Sequence, residues 1–323
     1  MLTFAGMLTL SRKAKDFLVL TAKLLIVGGA FYFIWSRISD EGQLDWSRIT
    51  VAISRKGANL LVFGILLLTF LNRFLEIIKW RNLVSWLQPL SLSKAAGQVL
   101  AAMTAALFTP NGIGEYAAKA LYYKKQQAGE IIFLNLVCNG IQLIIAVVLG
   151  IAGLVTFNAK YAVIATGTFW FILAVVLAAC LLLFASRNIA IKGYSLQRLF
   201  AKVGEMPKII HRKNMLLAMG RYLCLIHQHY SLFLLFGVDI PYFVMIPAIA
   251  GVYFVGSSLP TFQLLDFAVR GSVAVYFFGM LGVNEWIVVF AATLQWLLNI
   301  VLPVSIGSYF VFRFNPGKDL ERG

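Results

Sequence analysis

The stretch IIFLNLVCNGIQLIIAVVLG, residues 131–150, carries no charged side chain. About 20 mainly apolar residues suffice for a helix to cross the hydrocarbon core of a bilayer. Several other runs approach this length, and together they dictate the class of the chain. Of its 323 residues 60% are hydrophobic and 13% charged, where a soluble globule has about a quarter charged. The apolar–polar alternation of a membrane β-barrel is missing. The expectation is an all-α polytopic membrane protein, with residues 1–323 forming one integral membrane domain.

Spanning helices are expected at about 17–35, 58–78, 131–156, 161–185, 214–237 and 286–312. The opening SRKAKDFLVLTAKLLIVGGAFYFIW has the basic flank of a signal peptide. Its apolar part is too long and has no small-residue cleavage site, so it reads as an uncleaved first helix. The formal charge of +15 does not point to nucleic acid, because the basic residues collect in short loops between apolar runs. That is the pattern of loops kept on the cytoplasmic side, against anionic lipid. Arg12, Lys13 and Lys15 mark the amino end; Lys79, Arg81 and Lys94 follow the second helix. The 186–213 loop has seven basic residues against Glu205 alone. Both termini and this loop are therefore expected in the cytoplasm. Within the loop, YSLQRLFAKV has one apolar helical face and reads as a helix lying at the headgroups.

Two regions, about 92–124 and 240–281, are apolar but broken. The first contains FTPNGIGEYAAK, with Pro110, Gly112, Gly114, Glu115 and Lys119; the second has Pro260, Asp266 and Arg270. Each has a proline, a break, and an acid followed four residues later by a base. Each continues through a glutamate (Glu130, Glu285) into an apolar run with an interior glutamine, Gln142 or Gln295. Charge places the first break on the inner side and the second on the outer. Matching breaks in two halves of opposite orientation are the pointer to an inverted-repeat transporter. The pseudo-repeats cover about 92–156 and 240–312, each with a re-entrant hairpin.

Polar backbone at membrane depth is tolerated where it is buried in protein or lines a watery cavity. A half-helix starting near Glu115 would present its first amides to an anion, and Lys119 would add positive charge. The competing account is structural: acid before base at i,i+4 is the favourable order for an ion pair. Arg73 and Glu76, three apart in the second helix, read as a pair or as the inner rim of a cavity. Arg221 reads as snorkelling to headgroups. Asn135, Asn139 and Gln142 share a helix face. His227 and His229 are two apart and lack the i,i+4 spacing of a metal pair. Cys138, Cys180 and Cys224 lie in apolar runs and read as small buried hydrophobes. Neither a metal nor a cofactor is expected, since the chain has no Walker loop, nucleophile elbow or Rossmann fingerprint.

LFTPNGIGEYAAKA resembles the first polar motif of the lysylphosphatidylglycerol synthase transmembrane-region family, also called flippase-like. LIHQHYSLFLLFGVDIP and SSLPTFQLLDFAVRGS resemble the entry to that family's second half and its second motif. The resemblance covers about residues 15–312. Two departures stand out: Lys119 replaces a usual arginine, giving up bidentate phosphate geometry, and TFQLL replaces the usual glycines. The soluble aminoacyl-transferase domain of the full-length lysyl-lipid synthases is not in this sequence. The resemblance therefore implies the lipid-translocating part alone, in a bacterial inner membrane.

The leading expectation is a flippase-like protein moving a phospholipid or another phosphate-bearing amphiphile through a polar cavity between the hairpins. The alternatives are a membrane subunit of an enzyme transferring aminoacyl or glycosyl groups to lipid, and a scaffold recruiting a separate synthase. Expected partners are the lipid substrate and the bilayer. A separate lipid synthase, a glycosyltransferase or a second copy of the chain is also compatible.

Overall fold

A computed structural model describes residues 47–55, 57–107, 112–162, 165–185, 196–258 and 266–314, with the single residues 21, 109 and 188. The first expected helix, at about 17–35, and the prolines Pro110 and Pro260 lie outside the described residues. So does the side chain of Asp266. Every element among the described residues is helical.

In chain order these are α1 (Ser47–Ile53), α2 (Ala58–Val84), α3 (Leu92–Ala106), α4 (Gly114–Ala120) and α5 (Ala128–Tyr161). Then come α6 (Thr166–Ala185), α7 (Leu196–Glu205), α8 (Lys208–Leu235), α9 (Tyr242–Ser258), α10 (Asp266–Gly279), α11 (Glu285–Trp296) and α12 (Leu302–Arg313). A 3-10 turn, Lys125–Gln127, leads into α5, and a π turn, Leu297–Val301, joins α11 to α12.

Among the described residues, three segments are long and apolar enough to cross a membrane: Ala58–Val84, Lys125–Tyr161 and Glu285–Arg313. They correspond to the second, third and sixth expected spans, and each runs further than expected. The extension of α2 to Val84 matters most. It takes Lys79, expected in the following loop, into the helix, where it is fully buried. Lys79 therefore does not count among the loop charges. Its burial is possible because Glu76, one turn earlier, pairs with it at 2.9 Å.

Both regions expected to be broken contain two helices each, α3 with α4 and α9 with α10. Between α3 and α4 the chain turns at Gly112, whose φ of +70° favours a residue without Cβ. The packing crosses between the two halves: α3 lies against α12, and α9 lies against α5. Lipid tails offer helices no hydrophobic gain from association, so close contact through small residues has to supply it. Both crossings have this feature. A Cβ on Gly153 of α5 would come within 2.6 Å of Ala250 on α9. On α12, Gly307 lets the backbone meet α3, where the Thr104 hydroxyl donates to the Val304 carbonyl at 3.2 Å.

α7 docks on the protein through Leu199 and Val203, and Lys202 pairs with Glu130 at the start of α5 at 2.5 Å. Its apolar face thus covers the protein's own surface, while Phe200 stays exposed.

Candidate functional site

Three helices of the first half (α3, α4, α5) and three of the second (α9, α10, α11), with α2 and α8, surround a cavity of about 600 Å³. Arg73, Glu76, Glu115, Arg221, Arg270 and Gln295 all line it. Five of these six were singled out from sequence as site candidates, and they come from segments more than 200 residues apart. Charged groups within membrane-depth helices usually face such interiors and pair with one another.

Glu76 is the hub of one network. It is buried, pairs with Lys79, and accepts from Arg221 of α8. Cys138 lies beside it, Sγ to Oε1 at 3.7 Å. Arg221 also donates to Asn72 at 3.1 Å and to Gln142 at 3.3 Å. Gln142 thus sits behind the cavity wall, its Oε1 facing two cations and its amide donating to the Ala218 carbonyl at 3.3 Å. Arg221 does not snorkel. It turns inward because the buried carboxylate on α2 needs a second cation to balance its desolvation.

Of the two readings of Arg73 and Glu76, the pair does not form, while both residues line the cavity. The Arg73 guanidinium donates to the Asn299 carbonyl at 2.8 Å. Pro303 explains why that carbonyl is open to it: proline has no N–H to offer the carbonyl four residues earlier. The helix relaxes there into the π turn, a deviation often found at functional sites. The Asn299 side chain bridges Asn72 at 2.8 Å and Gln228 at 2.7 Å, tying the π turn to α2 and α8.

The two acid–base motifs differ. Lys119 is fully buried, 2.5 Å from Glu115 and 2.8 Å from Asn135 Oδ1, with its ammonium 4.2 Å from the centre of the Trp80 ring. It sits behind Glu115 and does not line the cavity. Arg270 does line it, half-buried, with its guanidinium 4.9 Å from the Tyr253 ring centre. Gly256 makes room for it, since a Cβ there would meet Arg270 Cγ at 2.9 Å.

The backbone amides expected to hold an anion at the start of α4 are occupied. Gly114 donates to the Thr109 hydroxyl at 2.8 Å, Glu115 to the Gly112 carbonyl at 3.0 Å and Tyr116 to the Ile113 carbonyl at 3.1 Å. Gly114 is there for close approach, because a Cβ would meet the Ala105 carbonyl at 2.9 Å. Gly112 and Gly114 therefore shape the turn and present no open donor.

The glutamines sit in parallel roles. Gln142 of α5 and Gln295 of α11 both donate to backbone carbonyls of α8, at Ala218 and at Leu225 (2.9 Å). His229, read from the sequence only as lacking the spacing of a metal pair, also lines the cavity. It is 3% exposed, stacked on Phe233 at 5.1 Å, and neither ring nitrogen has a hydrogen-bond partner among the described residues. A polar group inside an apolar run is itself the signal that could have found it. Arg73 Nε is likewise buried without a partner among them. Such groups cost about 1–3 kcal/mol each unless something in the cavity satisfies them.

Compared with known proteins, the chain matches no protein-family model and no curated sequence.

Proposed function

We propose that the chain is a flippase-like membrane protein that passes the headgroup of a phosphate-bearing amphiphile through this cavity, in a bacterial inner membrane. One observation carries the reading. Three arginines and two glutamates, drawn from both halves, line a cavity of about 600 Å³ in a bundle with membrane-length apolar helices. That volume is in the range of small-molecule sites, about 300–1,000 Å³. Arg73 Nε and the His229 ring nitrogens, without partners among the described residues, suit phosphate oxygens, and Arg270 adds positive charge on the same wall. Glu115 and Glu76 keep the empty cavity from carrying unbalanced positive charge. Lys119 positions Glu115 and does not touch the headgroup. The acyl tails stay in lipid, so only the polar part needs a path.

In this reading the two halves form an inverted repeat, with α3–α4 and α9–α10 as hairpins entering from opposite faces. The reciprocal packing of α3 on α12 and α9 on α5 supports it. So do the paired glutamines on α8 and the motif resemblance to the flippase-like family. Rocking of one repeat against the other would expose the cavity to each side in turn.

The experiment is mass spectrometry of lipids that co-purify in mild detergent. The proposal expects enrichment of one phosphate-bearing class over the bulk membrane, lost in Arg270→Gln. Retained lipid of bulk composition contradicts it. Single cysteines at positions 124 and 239, in a background without native cysteines, should label from opposite sides of the membrane. Labelling from the same side removes the inverted repeat.

A further inference from the structure

A second cavity, of about 390 Å³, lies between the start of α3, the segment after α4 and the end of α12. It shares no lining residue with the central one. Its walls include Ser93, Lys94, Gln98, Tyr122, Arg313 and Phe314, and no acidic side chain is among its described lining. The loop charges place this end of the bundle on the cytoplasmic side.

Gln98 decides what the cavity can hold. It is 5% exposed, and its Oε1 accepts from Trp80 Nε1 at 2.7 Å and from the Tyr123 hydroxyl at 2.9 Å. An indole N–H can only donate, so the atom facing Trp80 must be the oxygen. The orientation of the amide is thereby fixed. Its nitrogen, a donor, makes no hydrogen bond among the described residues and is left on the wall of the cavity. A donor on a cavity wall takes its acceptor from whatever occupies the cavity. Here the neighbouring groups on the wall, Lys94, Arg313 and the Ser93 hydroxyl, can all donate as well.

A site built of donors and cations takes an anion, and donors from two helices, α3 and α12, suit one with oxygens in several directions. The rings of Tyr122 and Phe314, centred 4.6 Å apart, offer an apolar side to whatever bears that anion. We infer that this cavity is a second, cytoplasmic anion site for a phosphate group, carried by an inner-leaflet lipid or by a free phosphate compound. It is separate from the central cavity and does not depend on transport.

The test titrates purified full-length protein, in mild detergent, with short-chain phosphatidic acid and follows binding by native mass spectrometry. An Arg270→Gln background weakens the central cavity. The expected result is one bound lipid, weakened about tenfold or more by Lys94→Gln with Arg313→Gln, as for loss of charge-assisted hydrogen bonds. Gln98→Glu is the decisive single change. It keeps an oxygen for Trp80 and Tyr123 but replaces the donor with a charged acceptor, and should weaken binding to a similar degree. Displacement by millimolar inorganic phosphate assigns the site to free phosphate compounds; failure of phosphate to displace assigns it to a lipid headgroup. No binding in the Arg270→Gln background, or unchanged affinity in folded Gln98→Glu, overturns the inference.

Discussion

Glu115 with Lys119 and Asp266 with Arg270 are written alike in the sequence, yet their cations stand in different surroundings. Lys119 meets a carboxylate, an amide oxygen and an indole face at once, and it is fully buried. Arg270 lies across a tyrosine ring on the wall of the central cavity. The spacing brings acid and base to one helix face in both cases. What separates them is supplied from elsewhere: Trp80 of α2 and Asn135 of α5 enclose Lys119, whereas Gly256 of α9 leaves Arg270 space beside the cavity. A motif thus sets which groups can pair, and the neighbouring helices set whether the base is enclosed in the packing or stands on a cavity wall.

The largest expected effect follows from the closed pair. Lys119→Met leaves Glu115 without its cation and Asn135 without its donor, and should destabilise the protein by about 3–5 kcal/mol. Thermal unfolding in detergent measures it. Adding Glu115→Gln should recover part of the loss. If Lys119→Met is as stable as wild type, Lys119 is not the structural member of the comparison.

Exchanging the charges, Glu115→Lys with Lys119→Glu, keeps the pair but turns a carboxylate towards the Trp80 ring and Asn135 Oδ1. A cost of about 2 kcal/mol is expected, from the lost cation–π contact and one mismatched hydrogen bond. An exchange without cost would mean that the surroundings of Lys119 do not select a cation.

On the cavity wall, Arg270→Gln should weaken phosphatidic acid binding in the central cavity about tenfold, about 1.4 kcal/mol. Lipid titration by native mass spectrometry measures the change. A variant that loses stability and not affinity would make Arg270 a second Lys119. The smallest effect belongs to Gln295→Leu, which removes one interhelical hydrogen bond to Leu225. About 0.6 kcal/mol is expected, as for such bonds within membranes.

These contrasts also show what was legible beforehand. The helical class, the two breaks and the residues Arg73, Glu76, Glu115 and Arg270 could be read from apolar runs and local spacing. The partners could not. Nothing near Glu76 announces Arg221, which lies on α8 and reaches it only because α2 and α8 pack together. Lys79 looked like a loop charge because hydropathy falls near it, although the helix continues to Val84. Arg73 follows the same rule. Its carbonyl partner is freed by Pro303, an effect of backbone chemistry in another helix that side-chain spacing does not encode.

The central claim, that a headgroup passes the cavity beside Arg270, is tested most directly in protein-only liposomes. A fluorescent phosphatidic acid in the inner leaflet is followed as it becomes accessible to an impermeant quencher outside. The account predicts movement well above that in empty liposomes for wild type. Folded Arg270→Gln should be slower by about tenfold, matching its loss of headgroup contact. Wild-type protein that moves lipid no faster than empty liposomes, or Arg270→Gln that moves it at the wild-type rate, would contradict the account.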